Sequence, residues 1–183
     1  MLVASSMKKQ REEGMGKKTR LISSSALFSS LTIVLTVFVK IPLGNGYIHL
    51  GDSMIYLASC ILPTPYAAIS AAISGAASDI IGGFAVFAIP SALIKAMITL
   101  PFTSKGDTIL SKRNALMTIP AGGITIICYF IVCLILYSWS GAIIGLLGDA
   151  MQTVVSAAVY LAFASALDKA KFKENLLGSQ GNH

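Results

Sequence analysis

Apolar residues run through this chain in six blocks, separated by short turn-rich or basic stretches. The first runs from Leu21 to Val39. The others run from about Gly51 to Leu62, Tyr66 to Ile81, Phe84 to Phe102, Ala115 to Tyr137 and Ala142 to Leu167. A membrane span needs about 20 predominantly apolar residues, so the second block is short and has to tilt or borrow its flanks. Pro63 and Pro65 end it, because proline disfavours a helical residue before it. The loop Leu43-Gly44-Asn45-Gly46-Tyr47 and the turns at Gly82-Gly83 and Ser138-Trp139-Ser140-Gly141 separate other blocks, and Pro120-Ala121-Gly122-Gly123 bends the fifth. In the third block Ala67, Ala71, Gly75, Asp79 and Gly83 recur every four positions. This gives one nearly side-chain-free helix face that ends in a carboxylate. The pattern predicts an all-α integral membrane protein with six transmembrane helices over residues 21–168. A mobile basic segment (1–20) precedes the helices and a basic tail (169–183) follows them.

Composition strengthens that reading. The chain has 183 residues, 55% of them hydrophobic and 12% charged, with a mean hydropathy of +0.76. Soluble domains carry about 25% charged residues, so a soluble globular surface is excluded and no length is left for a separate catalytic domain. The net charge of +6 does not point to nucleic acid, because its carriers flank the spans. Lys8, Lys9, Arg11, Lys17, Lys18 and Arg20 precede the first, and Lys169, Lys171 and Lys173 follow the last. With both termini cytoplasmic, all 14 Lys and Arg except Lys40 and Lys95 lie on the cytoplasmic side, which is the positive-inside asymmetry. The first block is span-length and has no small-residue cleavage site, so it is expected as a retained helix rather than a signal peptide. Cys60, Cys128 and Cys133 lie in apolar blocks at no metal-ligand spacing and read as small buried residues.

The informative residues are the polar ones inside the blocks. His49 and Asp52 open the second helix. At about 1.5 Å rise per residue, Asp79 lies roughly 6 Å from Gly83, Asp149 roughly 12 Å from Gly141, and Lys95 roughly 15 Å in. All five fall in the outer half. Ionisable groups in apolar spans are costly and mark sites or pathways. Gln152 and Thr153 lie one turn beyond Asp149, and Tyr47, Tyr56 and Phe87 offer aromatic walls. Two readings stand: a ligand site, or an internal ion-pair network such as Lys95 with Asp79 that only fixes packing. One lysine does not neutralise three aspartates, and the surplus suits a neutral or cationic ligand rich in hydrogen-bond donors. No metalloprotease, nucleophile-elbow or phosphate-loop motif occurs, so no catalytic residue, cofactor or metal is expected. Any ATP would be used by another chain. On the first helix, Ala26 and Ser30 are four apart, as are Ser25 and Ser29. Such a small-residue face permits close helix approach, either within the chain or to a partner.

Several motifs in this order resemble the substrate-binding S components of energy-coupling factor (ECF) vitamin transporters. They are His49-Leu50-Gly51-Asp52, Ser78-Asp79 with Gly82-Gly83, Pro90 followed by Lys95, and Gly148-Asp149-Ala150-Met151-Gln152. The resemblance covers about residues 20–168 and is nearest the branch taking up hydroxymethylpyrimidine, pyridoxine or thiamin-related precursors. It implies a multi-pass protein of the bacterial cytoplasmic membrane that captures a vitamin from outside. Its partners would be a transmembrane coupling subunit and two cytoplasmic ATPases. The residues expected to bind ligand are His49, Asp52, Tyr56, Asp79, Lys95, Asp149 and Gln152. The family's Ala-xxx-Ala docking motif matches Ala26 and Ser30, with serine in the second place, and Asp149 stands where relatives often carry Asn. The alternatives are a stand-alone proton-coupled secondary transporter using Asp79 and Asp149, and a small membrane enzyme or assembly factor.

Overall fold

The computed structural model describes the backbone of residues 2–43 and 46–177, and the side chains of residues 14–40 and 48–176. Its helices are α1 (Leu2–Val37), α2 (Gly51–Ile61), α3 (Thr64–Ile81), α4 (Ala88–Met97), α5 (Lys112–Leu116), α6 (Thr118–Leu136), α7 (Trp139–Lys169) and α8 (Phe172–Leu177). Strands β1 (Lys40–Leu43) and β2 (Gly46–His49) form an antiparallel hairpin between α1 and α2, with Lys40 opposite His49.

The packing order is α1 against α2 and α3, α3 against α4, α4 against α6, and α6 against α7, which returns to α2. All 11 residues of α2 are buried, so this short helix is walled in by its neighbours rather than by lipid. The stretches Gly14–Val37, Lys112–Leu136 and Trp139–Lys169 are long and apolar enough to cross a membrane. Ile89, Ile119 and Ile135 are each more than 70% exposed. An apolar exterior around a buried polar interior is how a membrane protein meets lipid.

Several expected boundaries move. Residues 2–20, expected to be mobile, continue α1 as helix, because Lys, Glu, Gln, Arg and Met are good helix formers whatever their polarity. Of the turn-rich stretch, Leu43, Gly46 and Tyr47 belong to the paired strands, while Gly44 and Asn45 lie outside the described residues. Pro65 lies inside the first turn of α3, where its missing N–H is no loss. The fourth helix, expected to reach Phe102, stops at Met97 after a 3₁₀ turn at Ala85–Phe87. Beyond it Leu100 N–H donates to Met97 O and Phe102 N–H to Thr99 O, a tightening on both sides of Pro101. The expected bend of the fifth helix is a break at Met117 between α5 and α6, three residues before Pro120. Trp139 begins α7, where Ser138 Oγ accepts from Gly141 N–H at 3.3 Å as an N-cap.

The small-residue face of α3 is used as expected. Ala67 and Ala71 are buried, and a Cβ on Gly75 would lie 2.8 Å from Lys95 Cγ. Only a glycine there lets the Lys95 stem cross α3. Gly83 ends the helix turn at φ +85°, a conformation that favours glycine.

The two ends of the bundle differ. One carries the hairpin, the α3–α4 turn and the α6–α7 turn. At the other, Asp168 accepts from Ile109 N–H (2.7 Å) and Leu110 N–H (2.8 Å). Lys173 Nζ donates to the carbonyls of Cys60, Ser104 and Gly106. The start of the tail is thus pinned to the chain between α4 and α5. Tyr56, Phe102 and Tyr160 close the core toward this end, with ring centroids 5.1 to 6.0 Å apart.

Candidate functional site

A cavity of about 810 Å³ opens at the hairpin end. It is built by β2, the C-terminus of α3, α4, the second half of α6 and the first half of α7. His49, Asp79, Lys95, Asp149 and Gln152 all line it, so three helices and the hairpin bring these groups to one space. Beneath it a polar annex of about 30 Å³ holds Asp52.

The base of the site is an ion pair. Lys95 Nζ donates to Asp52 Oδ1 at 2.6 Å, and both side chains are more than 90% buried. The ammonium also lies 5.3 Å from the centroid of the Tyr129 ring, within cation–π range. Tyr129 OH shares a 2.7 Å hydrogen bond with Ser91 Oγ. Thus Lys95 is held on two sides and does not snorkel outward.

Gln152 ties the hairpin to α7. Its Oε1 accepts from His49 N–H at 2.8 Å, and its Nε2 donates to His49 O at 2.7 Å. The side-chain amide therefore pairs with the edge of β2 as another strand would. Nε2 also donates to Ser156 Oγ at 3.0 Å. Gly51 N–H donates to His49 Nδ1 at 3.2 Å, so this ring nitrogen acts as an acceptor and the imidazole is neutral. Burial lowers the His49 pKa to about 4, outweighing the opposing pull of Asp52.

Asp79 and Asp149 have no ion-pair partner among the described residues, and Asp79 Oδ2 is buried without a hydrogen-bond partner among them. Aromatic walls come from Phe84, Phe87, Tyr129 and Tyr137, with Phe87 and Tyr137 ring centroids 5.9 Å apart. The arrangement suits non-covalent capture of a ring compound: aromatic walls, two carboxyls for donors, and a fixed ion pair at the floor.

Residues 16–169 match the model of the family described as the ECF-type riboflavin transporter, S component. The chain belongs to that family. It is therefore a multi-pass membrane protein and the substrate-binding subunit of an ECF transporter, and the family is one of transporters rather than enzymes. A curated relative, an uncharacterised protein from the gap 3′ region of Pyrococcus woesei, is 29% identical over 125 residues, 66% of this chain and 83% of that protein.

Of the residues expected to bind ligand in this S component, His49, Asp79, Lys95, Asp149 and Gln152 share the cavity. Asp52 sits one layer below and reaches it through Lys95. The expected Lys95 partner, Asp79, is replaced by Asp52 from α2. Tyr56 does not line the cavity: it is fully buried and packs against Phe102 and Tyr160. One turn past Asp52 on the same face, it faces the core beneath the site. Thr153 lies against Gly122 of α6 rather than in the cavity. The Tyr47 side chain lies outside the described residues. Sequence reasoning missed Ser91, Tyr129 and Tyr137. The signal for Tyr129 was a phenol in mid-span, which needs a hydrogen-bond partner when buried.

The two small-residue pairs of α1 separate. Ser25 and Ser29 face α3: Ser29 Oγ bonds Ser70 Oγ at 2.8 Å, and Ser70 Oγ donates to Ser25 O at 3.0 Å. Ala26 and Ser30 are exposed, and Ser30 Oγ donates back to Ala26 O at 2.9 Å.

Proposed function

We propose that this S component captures a flavin-sized vitamin from outside and delivers it inward with a transmembrane coupling subunit and two cytoplasmic ATPases, in the cytoplasmic membrane. The observation that carries the reading is the convergence of His49, Asp79, Lys95, Asp149 and Gln152 on one 810 Å³ cavity in a chain of this family. ATP and any cofactor belong to the partners. Residues 21–168 form the membrane domain, with six helices (α1, α2, α3, α4, α6, α7) and both termini cytoplasmic. Two observations support this orientation. Lys105, Lys112, Arg113 and Lys169 lie at the end opposite the cavity, as the positive-inside asymmetry requires. That end is also closed by the aromatic layer.

Riboflavin is the first ligand to test, because the family is named for it and the cavity falls in the roughly 300–1,000 Å³ range of sites for drug-sized ligands. The single-ring hydroxymethylpyrimidine and pyridoxine suggested by the motif order would leave much of this space unfilled. The purified protein is expected to quench riboflavin fluorescence at sub-micromolar concentration. Tight binding of pyridoxine or hydroxymethylpyrimidine without riboflavin binding would reverse the order. Ala26 and Ser30 form the docking face, since they are small, exposed and away from the cavity.

A further inference from the structure

The cavity is lined by two carboxyls and one lysine. Its lysine is already paired with Asp52 at 2.6 Å. His49 is neutral, with Nδ1 accepting from Gly51 N–H. That leaves Asp79 and Asp149, two carboxyls on α3 and α7 with no ion-pair partner among the described residues. Asp79 Oδ2 is buried and unpartnered among them, so it awaits a donor that no described residue supplies.

We infer that the cavity sorts a free alcohol-bearing ligand from its phosphate monoester, with Asp79 and Asp149 as the discriminating residues. This rests on the reading of the cavity as the vitamin site. A hydroxyl or ring N–H donates to a carboxylate and satisfies it. A phosphate brings up to two negative charges and no cation, and Lys95 cannot turn to it without leaving Asp52 unpaired in the interior. At an effective dielectric constant of about 20, one carboxylate within about 8 Å of a single negative charge weakens binding roughly 30-fold. A supply of the ligand as phosphate ester would first need hydrolysis outside. Water attacks phosphorus, the P–O bond to the alcohol breaks, and inorganic phosphate leaves.

The test titrates purified, folded protein with two matched pairs: riboflavin with riboflavin 5′-phosphate, and pyridoxine with pyridoxine 5′-phosphate. The esters are expected to bind at least about 10-fold more weakly than the alcohols, and the gap is expected to shrink in Asp79→Asn and in Asp149→Asn. The two variants report independently if one fails to fold. An ester that binds as tightly as its alcohol overturns the inference while leaving the vitamin site standing. So does a gap that both Asn variants leave unchanged, because steric exclusion would then explain it. If no member of either pair binds, the assignment of the cavity fails and this inference with it.

Discussion

At the scale of single residues, the ionisable side chains divide by what each would leave behind. Lys95→Ala strands the Asp52 carboxylate, which is 2% exposed. Breaking a buried pair from one side costs about 3–5 kcal/mol, so this variant is expected to lose folded protein as well as ligand binding. Lys95→Met with Asp52→Asn removes both charges and is expected to recover much of the folded yield in detergent without restoring binding. If Lys95→Ala accumulates and melts like the parent, the pair contributes little to the fold. Asp79→Asn breaks no ion pair among the described residues and keeps a polar group of the same size, so binding of the alcohol is expected to weaken while the melting temperature holds. His49 gives a pH signature. Its folded pKa, about 4, lies below the unfolded value of about 6.5, so the unfolded state binds the proton first. Stability from this group is complete above about pH 6.5 and is lost as pH falls toward 4. His49→Gln is expected to flatten that part of the melting-temperature profile, and an unchanged slope would assign it to another group.

At the scale of elements, α1 presents two small-residue rows with opposite duties. The Ser25–Ser29 row is bonded to Ser70 of α3, and the Ala26–Ser30 row faces outward. Ala26→Leu with Ser30→Leu is expected to leave ligand binding intact and abolish ATP-dependent uptake with the partner subunits, because bulk on an outer face blocks close helix approach. Ser25→Leu with Ser29→Leu is expected to reduce folded protein instead. Uptake surviving the first pair of substitutions would place docking on another surface. Both rows were legible as four-residue spacings, but the spacing alone does not say which row turns inward. The same limit explains the ion pair. Counting about 1.5 Å per residue put Asp79 and Lys95 in the same outer half, but the direction each faces depends on how α2, α3 and α4 pack. Asp52 therefore reached Lys95 first. Tyr56 was misread for the same reason, since its depth suited a wall while its direction was toward Phe102. Charged groups in apolar blocks announced themselves; Ser91 and Tyr129, uncharged and unremarkable in sequence, did not.

At the scale of the whole molecule, polarity is divided between two ends. The cavity, the hairpin and two carboxyls occupy one. The other holds the basic linker and the C-terminal residues Asp168 and Lys173, which hold the α4–α5 segment by four hydrogen bonds and α2 by one, to Cys60 O. The proposed orientation rests on this division, which was legible because it is a property of composition along the sequence, not of packing. Residues 1–20, expected to be mobile, are helical from Leu2, because helix propensity rather than charge decides the local backbone there. Orientation can be tested directly on a background in which Cys60, Cys128 and Cys133 are replaced by Ala. Ser140, exposed beside the cavity mouth, and Lys105, exposed at the opposite end, are then changed singly to Cys. A membrane-impermeant maleimide is expected to label Ser140→Cys in intact cells and Lys105→Cys only after permeabilisation. The cavity then faces the outside, where a captured vitamin has to enter. Labelling with the two positions exchanged would turn the cavity toward the cytoplasm and make capture from outside impossible in this conformation. Labelling of both in intact cells would mean that the chain inserts in two orientations, and the bias of its lysines and arginines would not be what sets the topology.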